Sequence, residues 1–166
     1  STLSIQMPVL DKEARYYDYE EIFPEATPRI EAAIGYLRAQ GSDRIALIAH
    51  SCSVHMSMTW VEQRGTAGID AYIGIGMGAT DYRQPMRQPF PYARIEVPLL
   101  NIVGSEDYPA VQLQARELES MLDELQLPGG SAQRRIEGAG HYFDDQNEDL
   151  LGAITGWLAQ VAPSGD

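Results

Sequence analysis

Ile45-Ala46-Leu47-Ile48-Ala49-His50-Ser51-Cys52-Ser53 is the stretch that decides how this chain folds. Ile45 to Ala49 is a continuous apolar run of strand length, the pattern of a strand buried on both faces. A helix follows at once, from Cys52 to Gln63, with Val54, Met58 and Val61 inward and Gly65 at its end. Ser51 therefore falls on a sharp strand-to-helix turn. Such a turn tolerates only small residues two positions to either side, because the backbone doubles back on itself. Glycine is usual at both; here they are Ala49 and Ser53. The turn also sets the amide of Cys52 at a helix N-terminus, where it can stabilise a developing oxyanion. The Cys52 thiol follows the apex and is directed toward the helix, so it is not read as a nucleophile.

The pattern repeats outward from this stretch. Upstream, Leu3, Ile5 and Met7 alternate with polar residues and predict a short strand closed by Pro8. Residues 11–23 are acidic and aromatic (Tyr16, Tyr17, Tyr19, Phe23), lack a period and read as loop. Thr27 as N-cap, Pro28 at the first position and Gly41 as stop predict a helix with Ile30, Ile34 and Leu37 on one face. Downstream, Ala71 to Gly76 is a second buried strand. Residues 77–96 form a loop or small cap, in which Met77, Met86, Phe90 and Tyr92 could touch an acyl group. Leu99 to Val103 is another strand, 109–125 a helix through Val111, Ala115, Leu118, Leu122 and Leu125, and Ala132–Glu137 a more polar edge strand. Leu150, Ile154, Trp157, Leu158 and Val161 mark the last helix, and 163–166 a tail. Alternating strands and helices predict one α/β domain over 1–162: three layers, α/β/α, around a mostly parallel sheet.

In such sheets ligands bind beyond the carboxyl ends of the strands. Gly104-Ser105-Glu106-Asp107 follows one strand and Gly138-Ala139-Gly140-His141 follows the last. Serine, acid and histidine thus come in the order Ser51, Asp107, His141, each just past a strand. A serine hydroxyl is a weak nucleophile until a histidine takes its proton, and a carboxylate must fix that histidine's tautomer. Glu106, adjacent, and Asp81, beyond the preceding strand, are the alternative acids. His50 and His55 read as packing residues. Gly74-Ile75-Gly76-Met77-Gly78 lacks the third spaced glycine of a dinucleotide fingerprint and the lysine of a phosphate loop.

Through Ile45–Ser53, Leu99–Asp107 and Ile136–His141 the chain resembles bacterial members of the α/β-hydrolase superfamily, over nearly its whole length. The resemblance implies Ser51 as nucleophile, His141 as general base and acid, Asp107 as orienting carboxylate and the Cys52 amide as one oxyanion donor. It implies no cofactor and no metal. It also implies a partial fold. Leu3–Met7 resembles the superfamily's fourth strand, and the third, whose loop donates the second oxyanion amide, would precede Ser1. The expectation is a C-terminal part of a longer hydrolase, poorly active alone, with the N-terminal segment or a second copy as partner; alternatively Leu3–Met7 shifts into the empty slot.

The composition narrows the partners. Twelve basic against 24 acidic residues give a formal net charge of −12, which repels nucleic acid and anionic membranes. No apolar run reaches the ~18–20 residues of a membrane span. A single cysteine excludes an internal disulfide. Cytoplasm and bacterial envelope stay open as compartments. Two functions stand: a serine hydrolase acting on a small-molecule or acyl substrate (an ester, thioester or amide), or a hydrolase-like binding or envelope-associated module without chemistry.

Overall fold

The computed structural model describes residues 2–11, 13–78, 89–122 and 124–161, apart from the side chains of Tyr16 and Tyr17. Four parallel strands form one sheet in sequential order: β1 (Ala46–His50), β2 (Ala71–Ile75), β3 (Leu99–Gly104) and β4 (Ala132–Ile136). Among the described residues four α-helices accompany them: α1 (Ala26–Ala39), α2 (Cys52–Arg64), α3 (Pro109–Met121) and α4 (Asn147–Val161).

Strand alternation divides the core in two. Tyr72 and Leu99 point to the side where Ile30 of α1, Val54, Met58 and Val61 of α2, and Leu118 of α3 pack. Ala71, Ile73, Ile75, Leu100 and Ile102 point to the other, where Trp157 of α4 closes the core. Trp157 is anchored by its indole N–H, which donates to the carbonyl of Gly130 at 2.7 Å. These two cores give the three layers expected from the alternation. β2 and β3 are buried on both faces, as mostly apolar strands covered by helices on each side require; the polar Asn101 within β3 is buried too, and its Nδ2 donates to Oε1 of Gln133 at 2.7 Å.

β1 departs from that pattern. It lies at an edge, and its burial is uneven: Ala49 is buried, Leu47 is half-buried, and Ile48 is 52% exposed. The cause is the reach of α4, whose apolar face packs on β2, β3 and β4, while Ala46 and Ile48 have no such cover among the described residues. The apolar run was therefore a correct sign of a strand and a wrong sign of its burial.

Leu3–Met7 is not a strand, so among the described residues the sheet has four strands and not five. The segment runs beside β1, and Leu3, Ile5 and Met7 line small cavities with Leu47 and Ile48, but it makes no ladder with it. Its apolar residues stay partly wet, Leu3 at 42% and Ile5 at 37%. Alternation alone does not make a strand without backbone pairing.

Residues 16–25 also differ from the loop expected there: Tyr16–Glu25 forms a 3-10 helix that feeds directly into α1. Because Glu25 is already helical (φ −69°, ψ −16°), α1 starts before Thr27 and needs no cap from it. The Thr27 hydroxyl instead donates to Oε1 of Gln63 at 2.9 Å, joining α1 to α2. α3 is shorter than the periodicity suggested, ending at Met121. Within 77–96, Tyr92–Arg94 is one 3-10 turn. Residues 79–88, with Asp81 and Met86, and the 163–166 tail lie outside the described residues.

Candidate active site

Ser51 sits between the last residue of β1 and the first of α2 with φ 56° and ψ −124°. A side-chain-bearing residue adopts this backbone only when its surroundings hold it there. Two bonds do so: the Ser51 N–H donates to the Ile75 carbonyl on β2 (3.0 Å), and the Ser51 carbonyl accepts from Val54 N–H (2.9 Å). Ala49, buried, and Ser53, half-buried, are small enough for the turn. The Cys52 amide opens α2 and belongs to the first turn, whose N–H groups have no intrahelical acceptor. Burial raises the Cys52 thiol to about 11, so it stays protonated at neutral pH and is a poor nucleophile.

His141 lies past β4 and Asp107 past β3, and both turn toward Ser51. His141 Nε2 is 2.8 Å from Ser51 Oγ, and His141 Nδ1 is 2.7 Å from Asp107 Oδ1. The facing side chains of His141 and Asp107 are almost dry, 3% and 0% exposed, which strengthens their interaction. The backbone N–H of Tyr108 donates to the same Oδ1 at 2.7 Å, fixing the carboxylate's orientation. Glu106 is exposed, and the carboxylate that meets His141 is that of Asp107.

Glycines make room for this cluster. Gly76, at φ +59°, lies so close that a Cβ there would stand 2.9 Å from Cε1 of His141 and 3.4 Å from Oδ2 of Asp107. Gly104 lets the Ala139 and Gly140 carbonyls cross the end of β3. The Gly74–Gly78 run thus has a use: Gly76 accommodates the imidazole, and the buried Met77 side chain fills the space beside Gly74.

Several contributors are not visible in the motif pattern. His50 does more than pack: its Nε2–H donates to the carbonyl oxygen of His141 at 2.9 Å. Burial lowers its pKa, which keeps the ring neutral. Ser105 Oγ accepts from Gly138 N–H at 2.8 Å, tying together the loops that carry Asp107 and His141. Tyr108 and Tyr142 flank the imidazole with ring centroids 4.7 and 5.2 Å away, and both are exposed. The only signal for them was position, each directly following a proposed triad member. His55, one turn beyond Ser51 on α2, is buried and bonded to the Gly78 carbonyl at 3.2 Å, and desolvation lowers its pKa to about 4.

Among the described residues, no three His, Cys, Asp or Glu side chains gather as a metal site, and no helix is long and apolar enough to cross a membrane.

Comparison with solved structures then places the architecture. XC6422 from Xanthomonas campestris, described as an α/β serine hydrolase without lid, superposes with a TM-score of 0.65 at 18% identity, over 96% of this chain and 66% of its own. This chain has part of an α/β-hydrolase fold. A monoacylglycerol lipase from Paleococcus ferrophilus gives 0.64 at 17% identity (84% and 76% covered), and esterase PE8 gives 0.59 at 18% (93% and 69%). A predicted hydrolase from Thermoplasma acidophilum is covered over 64% of its length. The chain thus spans about two thirds of the length of the Xanthomonas campestris and Thermoplasma acidophilum hydrolases. No family model and no curated protein matches the sequence. The α/β-hydrolase part of the fold is what these neighbours share with it.

Proposed function

We propose that the chain is a serine hydrolase that cleaves an ester, thioester or amide through an acyl-enzyme on Ser51. One observation carries this reading: the unbroken relay from Ser51 Oγ to His141 Nε2 (2.8 Å) and from His141 Nδ1 to Asp107 Oδ1 (2.7 Å). Ser51 Oγ attacks the acyl carbon while its proton passes to His141 Nε2. Asp107 holds the other ring nitrogen in the protonated form and stabilises the imidazolium. The oxyanion faces the Cys52 amide. His141 then returns the proton to the leaving group as the tetrahedral intermediate collapses. Water repeats the path in reverse: its proton goes to Nε2, its oxygen to the acyl carbon, and Ser51 leaves with the proton. No cofactor enters this scheme.

The test is covalent labelling with a fluorophosphonate, which reads nucleophile activation without knowledge of the substrate. The expected adduct maps to Ser51 and disappears in Ser51→Ala. An adduct that persists in Ser51→Ala, or a folded wild type that never labels, defeats the proposal and favours the binding-module reading.

A further inference from the structure

A cavity of about 490 Å³ opens not over Ser51 but further along α2, between that helix, the 3-10 helix at Tyr16–Glu25 and residues 89–91. The two cavities beside β1, of about 120 and 100 Å³, are much smaller. Its wall is apolar and aromatic: Phe23, Met58, Phe90 and prolines line it, with the His55 ring stacked on Phe23 at 6.0 Å and tilted against Phe90 at 5.0 Å. Glu20 and Glu62 line it as well, and both are exposed. Among the described residues neither carboxylate is ion-paired, and no Lys or Arg lines the cavity.

The hydrogen-bonding character of this lining is one-sided. His55 spends its single N–H on the Gly78 carbonyl, so Nε2 is the donor and Nδ1 is left as a lone-pair acceptor. The Thr59 hydroxyl spends its proton on the His55 carbonyl at 3.0 Å. Among the described residues, the side-chain polar capacity left over is therefore acceptor capacity: two carboxylates, an imine nitrogen and a hydroxyl oxygen. Aromatic faces add a further attraction for positive charge.

We infer that this cavity binds an organic ammonium with an aromatic or alkyl body, the cationic head between Glu20 and Glu62 and the body against Phe23, Met58 and Phe90. A neutral or anionic ligand of the same shape leaves the carboxylates without a donor or repels them. The inference stands on the cavity itself and does not depend on the role of Ser51.

The experiment compares two probes of nearly equal shape, phenethylammonium and 2-phenylethanol, titrated by NMR or calorimetry near neutral pH and low salt. The ammonium is expected to bind about tenfold tighter than the alcohol, the range that a cation–π contact and an exposed ion pair supply together. The double variant Glu20→Gln/Glu62→Gln, at exposed positions that leave the core intact, should bring the two probes within about twofold of each other. Ser51→Ala should bind both as the wild type does. Equal affinities in the wild type, an ammonium preference that survives the double variant as general attraction to an acidic chain, loss of binding in Ser51→Ala, or no saturable binding up to about 10 mM would each overturn the inference.

Discussion

The imidazole of His50 donates from Nε2 to the backbone carbonyl of His141, 2.9 Å away, joining the end of β1 to the loop beyond β4. The residue before Ser51 thus holds the main chain of the residue that partners Ser51. The bond needs a neutral or protonated ring with hydrogen on Nε2, and the two rings stand 5.0 Å apart. His50→Ala should slow fluorophosphonate labelling about tenfold, the equivalent of one net hydrogen bond. His50→Gln, which retains an N–H donor, should recover part of the rate with no matching change in melting temperature. An unchanged rate in His50→Ala would remove the positioning role.

Asp107 is the more severe test of the relay. Asp107→Ala removes Oδ1, the single oxygen that both His141 Nδ1 and Tyr108 N–H meet, and with it the acceptor that keeps the imidazole proton on Nδ1. The imidazole then carries its proton on Nε2 and cannot take one from Ser51. Labelling should fall by about 10³–10⁴, the cost of a wrong tautomer in serine hydrolases, while far-UV circular dichroism stays that of the wild type. A loss of less than about tenfold would assign the carboxylate role elsewhere, with Glu106 and Asp81 the acids to substitute next.

The parts of the fold legible in sequence were those fixed by local chemistry. β2 and α2 follow from an apolar run and periodicity, β3 from an apolar run broken by Asn101, and the positions of Ser51, Asp107 and His141 beyond strand ends from the strand boundaries. Less legible was whatever depends on a neighbour. Ile48 reads as core because it is isoleucine in a strand, and it is exposed because α4 does not reach β1. Leu3–Met7 alternates like a strand but lacks a ladder. Tyr16–Glu25 has no α-helical period because it is a 3-10 helix, where side chains recur every third residue. The His50 bond to His141 spans 91 positions in sequence, and no spacing rule predicts it.

His55 makes stability depend on pH. Its folded pKa is about 4, against 6.5 for a free imidazole, because burial disfavours the cation. Between these values the unfolded chain binds a proton that the folded chain refuses, so unfolding becomes easier as pH falls from about 6.5 to about 4. The full effect is about 3 kcal/mol, complete near the lower value and absent above the upper one. The lowered pKa of His50 acts in the same direction. Urea unfolding of wild type and His55→Gln across this window should show a flatter acid limb in the variant. Parallel limbs would mean that His55 is protonated in the folded protein.

Ser51 stores strain that its replacement should release. Its backbone, at φ 56° and ψ −124°, belongs to a region that glycine enters freely and a Cβ disfavours. Such a residue costs of order 1–3 kcal/mol in the folded state. Glycine removes that cost but adds roughly 0.5–1 kcal/mol of unfolded-chain entropy relative to alanine. Ser51→Gly should therefore be more stable than Ser51→Ala by about 1 kcal/mol, a difference of about 2–4 °C in melting temperature for a chain of this size. Both variants lack the hydroxyl and should resist fluorophosphonate equally, which separates the strain from the chemistry. If Ser51→Ala melts at or above the temperature of Ser51→Gly, the turn is not strained at this residue, and the backbone cost assigned to holding the hydroxyl toward His141 has no basis.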